Sequence, residues 1–124
     1  MDWLDLLPPE LRSRAIDLEP LVGVLEHALH LGDALEALGH IQAADWVVLG
    51  GDFYWQEAGG AWIASDPPWA LTRMADEPDD GRISRSITTA RHEINRKAAA
   101  TPESEIVVVL VCRPVGWRAE QPDR

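Results

Sequence analysis

Apolar and polar positions along this chain follow helical spacing in some stretches and β-rich runs in others, and the breaks between them define six segments. Pro8-Pro9 stands where a helix can begin, because proline is tolerated in the first helical turn. A short helix from Pro9 to about Ala15 would place Leu11 and Ala15 on one face. Pro20 and Gly23 then break the pattern. Asp33 is a good cap, and Ala34, Leu35, Leu38 and Ile41 follow at helical spacing, which predicts a helix from about Gly32 to Gln42. Trp46-Val47-Val48-Leu49 suits a buried pleated surface and predicts a strand that ends at Gly50-Gly51. Phe53 to Gln56 and Ala61 to Ala64 flank Gly59-Gly60 and read as a hairpin. Pro67-Pro68 ends it, since neither proline can donate to a ladder.

Asp76 to Gly81 reads as a charged turn that also supplies a helix cap. From there Ile83, Ile87, Ala90, Ile94 and Ala98 recur at steps of four, three, four and four, the stripe of an amphipathic helix. Its other face carries Arg82, Arg85, Arg91, Arg96 and Lys97; Thr101-Pro102 closes it, and Ile106 to Cys112 predicts a second buried strand. From residue 114 to residue 124 a loose tail is expected, with Trp117 able to fold back. Helix, helix, strand, hairpin, helix, strand is the order of a single α+β domain over residues 1–124. Its small, mostly antiparallel sheet would have the two apolar runs paired centrally and about three helices covering it.

Composition agrees: 124 residues leave room for one domain, and 46% apolar with 26% charged residues is ordinary for a globular one. No apolar run approaches a membrane span, and Met1-Asp2-Trp3-Leu4-Asp5 lacks the positive start of a secretory signal, so a cytoplasmic location is expected. A single cysteine, Cys112, cannot form an internal disulfide. Charge changes the picture more. The net charge of −10 repels phosphate backbones and anionic membrane surfaces, so neither nucleic acid nor membrane is an expected partner. Residues 1–81 carry sixteen acids and three bases, whereas residues 82–100 carry five bases and one acid. The acidity therefore belongs to the N-terminal two thirds, beside one basic helix.

Candidate chemistry is sparse. Leu49-Gly50-Gly51-Asp52-Phe53-Tyr54 is the most pointed feature: two glycines permit a sharp turn or close approach, leaving Asp52 to pin the turn or face a partner. As a phosphate loop it lacks the lysine and the following helix. His27, His30 and Asp33, with Glu26 nearby, have too little spacing logic for a metal site, so none is expected. Cys112 sits in the most apolar run, where a thiol stays protonated, and Ser65, Ser84, Ser86 and Ser104 have no histidine near in sequence. Asp79-Asp80 belongs to the charged turn. No catalytic residue and no cofactor is expected. Trp46, Trp55, Trp62 and Trp69 fall within 24 residues; such rings are core, cross-strand pairs, or interface anchors, the last most relevant to Trp55, Trp62 and Trp69.

Ala28-Leu29, Asp33-Ala34-Leu35 and Val48-Leu49-Gly50-Gly51-Asp52-Phe53-Tyr54 together resemble the immunity protein 40 family, whose hydrophobic strand closes in Leu-Gly-Gly-Asp-Val-Tyr. The resemblance continues through Ser65-Asp66-Pro67-Pro68-Trp69-Ala70 and through Ser86, Ala90 and Ile94, covering roughly residues 16 to 95. Phe53 replaces the usual Val, and Pro67-Pro68 interrupts the polar aromatic segment. The resemblance implies a bacterial antitoxin that binds a cognate toxin domain and blocks it without chemistry of its own. An acidic chain suits a basic toxin, such as a nuclease. Candidate contacts are Asp52, Tyr54, Trp55, Trp62, Asp66 and Trp69, with help from Asp76, Glu77, Asp79 and Asp80, on a strand shaped by Gly50 and Gly51. The rival readings are a small-molecule module with a Trp-lined pocket, a small hydrolase using Asp52 with His27 or His30, and a housekeeping interaction protein.

Overall fold

The computed structural model describes residues 2–18, 26–65, 67–101 and 106–116. A 3-10 turn at Trp3–Leu6 leads into α1 (Pro9–Arg12) and β1 (Ile16–Asp17). The Asp2 carboxylate accepts the Trp3 N–H at 2.7 Å, while Asp5 accepts the Asp2 N–H at 3.1 Å, closing a capping box. Then come β2 (His27–His30), α2 (Leu31–Ala43), β3 (Trp46–Gln56), β4 (Trp62–Ala64), β5 (Trp69–Ala70), α3 (Asp79–Ala100) and β6 (Ile106–Pro114).

The strands form one antiparallel sheet in the order β1-β2-β6-β3-β4, with β5 also paired to β3. The two apolar runs lie at its centre, as their composition implies, matched from Trp46 opposite Pro114 to Trp55 opposite Ile106. Strand alternation sorts their side chains onto two faces. Trp46, Val48, Phe53, Ile106, Val108, Leu110 and Cys112 join the helices in the main core, which includes Leu31, Leu38 and Ile41 of α2 and Ile87, Ala90 and Ile94 of α3. Trp3, Leu4, Leu7 and Leu11 extend that core from the N-terminal turns. On the other face Val107, Val109, Ala28, Leu18 and Trp62 form a second cluster, with Ile16 and Tyr54 against it. The result is a small α+β domain.

At Gly50-Gly51 the strand does not end as predicted, and of the two readings of the glycines close approach holds rather than a sharp turn. β3 runs straight through both glycines, so the predicted strand and the first arm of the hairpin are one element. The register shifts between Val48 and Gly50, leaving Leu49 as a bulge. Here the Val48 N–H donates to Ser86 Oγ of α3 at 3.0 Å, and that fully buried hydroxyl donates to the Ile83 carbonyl at 2.9 Å. Ser86→Ala strands a buried donor and is expected to cost about 1–3 kcal/mol in urea unfolding. An unchanged midpoint would mean the bulge does not depend on this hydroxyl.

The glycines serve close approach. A Cβ at Gly50 would collide with the Trp69 carbonyl oxygen, and one at Gly51 with the Trp69 indole. Neither has a positive φ; among the described glycines only Gly60 does (φ 90°), in the hairpin between β3 and β4.

Other boundaries moved for local reasons. His27 to His30 form a strand that the sequence did not announce, because two apolar residues between histidines carry no period. α2 therefore starts at Leu31, and Asp33 sits in its first turn, where Arg14 Nε pairs with it at 3.2 Å. α1 stops at Arg12, short of Ala15. α3 begins at Asp79 behind Pro78, so Asp79 and Asp80 occupy its first turn, where negative charge complements the helix dipole. Past β6, the Val115 N–H donates to the Asp45 carbonyl at 3.1 Å; Trp117 lies outside the described residues.

Candidate binding surface

Because β3 is continuous, Asp52 and Tyr54 fall two residues apart on the sheet face away from the helices, opposite Val109 and Val107 of β6. Asp52 Oδ1 is buried and accepts no hydrogen bond from the described residues. Burial pushes the Asp52 carboxyl above its ordinary range, opposed by a hydrogen bond from the Phe53 backbone. Tyr54 is half-buried, and its hydroxyl is raised first by burial and then by the negative charges of Asp52 and Glu26. The charge of Glu26, just before β2, is thus felt at the tyrosine from two strands away, across β6.

The tryptophans divide. Trp62 is 9% exposed in the second cluster, while Trp55 at 37% is the most exposed of those described. The Trp69 ring covers Gly51 and tilts against Phe53, with centroids 5.5 Å apart, so in the free chain it packs against the main core. Its indole Nε1 is buried without a partner among the described residues. Asp66 lies outside the described residues.

The remaining acids gather elsewhere, around the start of α3. Glu77 is gripped by Arg85, whose Nε and Nη2 donate to its two oxygens at 2.7 Å each. That hydrogen-bonded pairing holds the Glu77 carboxyl below its ordinary value. Asp76, Asp79 and Asp80 are exposed. An open groove of about 800 Å³ runs here, lined by apolar Leu49 and Met74, by Asp76, Glu77 and Asp79, and by Arg73 and Arg82; no described tryptophan lines it. Asp52, Tyr54 and Trp62 therefore share one sheet face, the acids gather before α3, and Trp55 and Trp69 lie on the helix side of the sheet, so the described candidates do not form one surface.

Reactive groups do not converge. Among the described residues no three His, Cys, Asp or Glu side chains are grouped to hold a metal. Asp52 Oδ1 meets neither His27 nor His30. Burial pushes the Cys112 thiol far up, so it stays protonated. Ser65 Oγ accepts from Lys97 Nζ at 2.7 Å, which holds the ammonium 5.6 Å from the Phe53 ring centroid. No helix among the described residues is long and apolar enough to cross a membrane.

No curated protein and no solved structure matches the chain. The sequence profile of the family described as Immunity protein 40 matches residues 17–112, a span that contains both paired apolar runs, the Gly50-Gly51-Asp52 segment and the groove. The chain belongs to the immunity protein 40 family.

Proposed function

We propose that this chain is a non-enzymatic immunity protein that binds a cognate bacterial toxin domain and blocks its active site or substrate entry. The observation that carries this reading is the family match over residues 17–112. Asp52 adds physical support. A half-buried carboxylate with one oxygen that finds no donor among the described residues has met part of its desolvation cost in folding, so a partner donor that reaches this carboxylate gains a charge-assisted bond at reduced cost. Tyr54 on the same face, and Trp55 on the opposite face of the same strand, are residue types that anchor interfaces. Trp62, Asp66 and Trp69, and the acids Asp76, Glu77, Asp79 and Asp80, complete the candidate contact set.

The partner is basic. A net charge of −10, concentrated before residue 82, speeds encounter with a positively charged domain and disfavours acidic ones. Co-expression with the toxin domain encoded beside this chain's gene tests the reading: growth returns with this protein and not without it. Equal killing in both strains removes the reading for that pair.

A further inference from the structure

We propose that β5 is a register switch: on toxin binding it slips by one residue along β3, which sets Trp69 opposite Asp52. The slip turns the indole from the helix side of the sheet onto the face that carries Asp52 and Tyr54, where Nε1 donates to Asp52 Oδ1. This rests on the toxin-binding reading and adds to it how Trp69 reaches the same surface as the other two.

Two orphaned atoms motivate it. Asp52 Oδ1, an acceptor, and Trp69 Nε1, a donor, are the two buried side-chain polar atoms that lack a partner among the described residues. Each has lost water without gaining a bond, and pairing the two removes both penalties at once. They miss each other by register. Trp69 stands opposite Gly51, whose partner across β6, Leu110, belongs to the main core, so the indole falls on the helix side. Side chains alternate along a strand, so a shift of one residue moves Trp69 to the other face, opposite Asp52.

Little fixes the present register. β5 is two residues long and pairs with two glycines, which offer no side chain to lock it in place. β4 does not impose the register either. From Tyr54 to Gly51 the β3 side moves three residues, while the facing side moves five, from Ala64 to Trp69. That excess is slack for a slip. Beyond β5 the bond from the Leu71 N–H to the Leu49 carbonyl must break, and the open groove of about 800 Å³ beside residues 71–77 gives the segment room to follow. Taking the Trp69 ring off Phe53 costs core packing, so the free chain keeps it seated. Contact of the displaced indole with the toxin supplies the difference.

Nuclear Overhauser spectra of the chain, free and bound to the purified toxin domain encoded beside its gene, test the proposal. The Trp69 indole should contact Phe53 in the free chain, and Tyr54 and Val109 in the complex. Trp69–Phe53 contacts that persist in the complex overturn the switch and leave the toxin-binding reading standing. Affinity supplies a second arm. A Cβ at Gly51 collides with the seated indole and not with the displaced one. Gly51→Ala should therefore melt lower than the parent yet bind the toxin about 10-fold tighter, because more of the free chain is already switched. Gly59→Ala, with nothing within 4 Å of its added carbon, should bind like the parent. Trp69→Phe fills the seat without a donor and should bind about 10-fold more weakly at a similar melting temperature. Gly51→Ala binding no tighter than the parent, or Trp69→Phe binding as well, also overturns the switch; should Gly51→Ala fail to fold, the spectra of the parent decide. No complex with the parent overturns the toxin-binding reading and this proposal together.

Discussion

Gly50→Ala is expected to lose about 2–4 kcal/mol of stability, a large part of what holds a domain of this size together. The new Cβ would meet the Trp69 carbonyl oxygen and approach the Ala70 Cα, and neither atom can move without unpairing β5 from β3. Gly51→Ala meets a side chain instead, the Trp69 indole, which is itself pressed against Phe53 and the main core. Its cost should therefore depend on that ring. In a Trp69→Ala background the same substitution becomes close to neutral, and the cycle reports the coupling. Gly59→Ala is the control, with no atom within 4 Å of its added carbon. Denaturant midpoints measure all of these; equal stability of Gly50→Ala and Gly59→Ala would contradict the close-packed account of the glycine pair.

Asp52→Asn should move stability and binding in opposite directions. The folded carboxyl is raised above its unfolded value by burial, so its charged form disfavours the folded state at neutral pH. That penalty is fully present above the raised value and relieved as pH falls through it. Asn keeps the shape and removes the charge, so stability at neutral pH is expected to hold or rise, with the gap to the parent closing towards acid. Toxin affinity is expected to fall about 10- to 100-fold, the scale for losing one charge-assisted hydrogen bond. Thermal melts across pH and a binding isotherm supply the two readings. A variant that is less stable and binds normally would assign Asp52 a structural task only.

The parts of the fold legible in the sequence were those whose signal is carried within one element. The stripe from Ile83 to Ala98 specified α3, and the runs at residues 46–49 and 106–112 specified the paired centre of the sheet. β1, β2 and β5 were not legible, because strands of two to four residues take their conformation from the edge they pair with. The glycine pair left turn and close approach both open for a related reason. Its cause is Trp69, eighteen residues later, and a close approach leaves the same local mark as a turn. Ser86 read as an isolated serine until the bulge at Leu49 gave it a donor.

Legibility of the candidate surface follows the same rule. Asp52 and Tyr54 share a face by simple alternation once β3 is continuous. The acids before α3 were visible as a cluster. The groove they line with Leu49 and Met74 was not, since the hydrogen bond from the Leu71 N–H to the Leu49 carbonyl joins segments far apart in sequence.

Titrating the purified toxin domain with this protein, and following the toxin's own activity, tests the central claim most directly. The account predicts that activity falls in proportion to added protein and vanishes near one equivalent, with the two co-eluting as a complex. Full toxin activity in the presence of a large excess, with no complex formed, would contradict it.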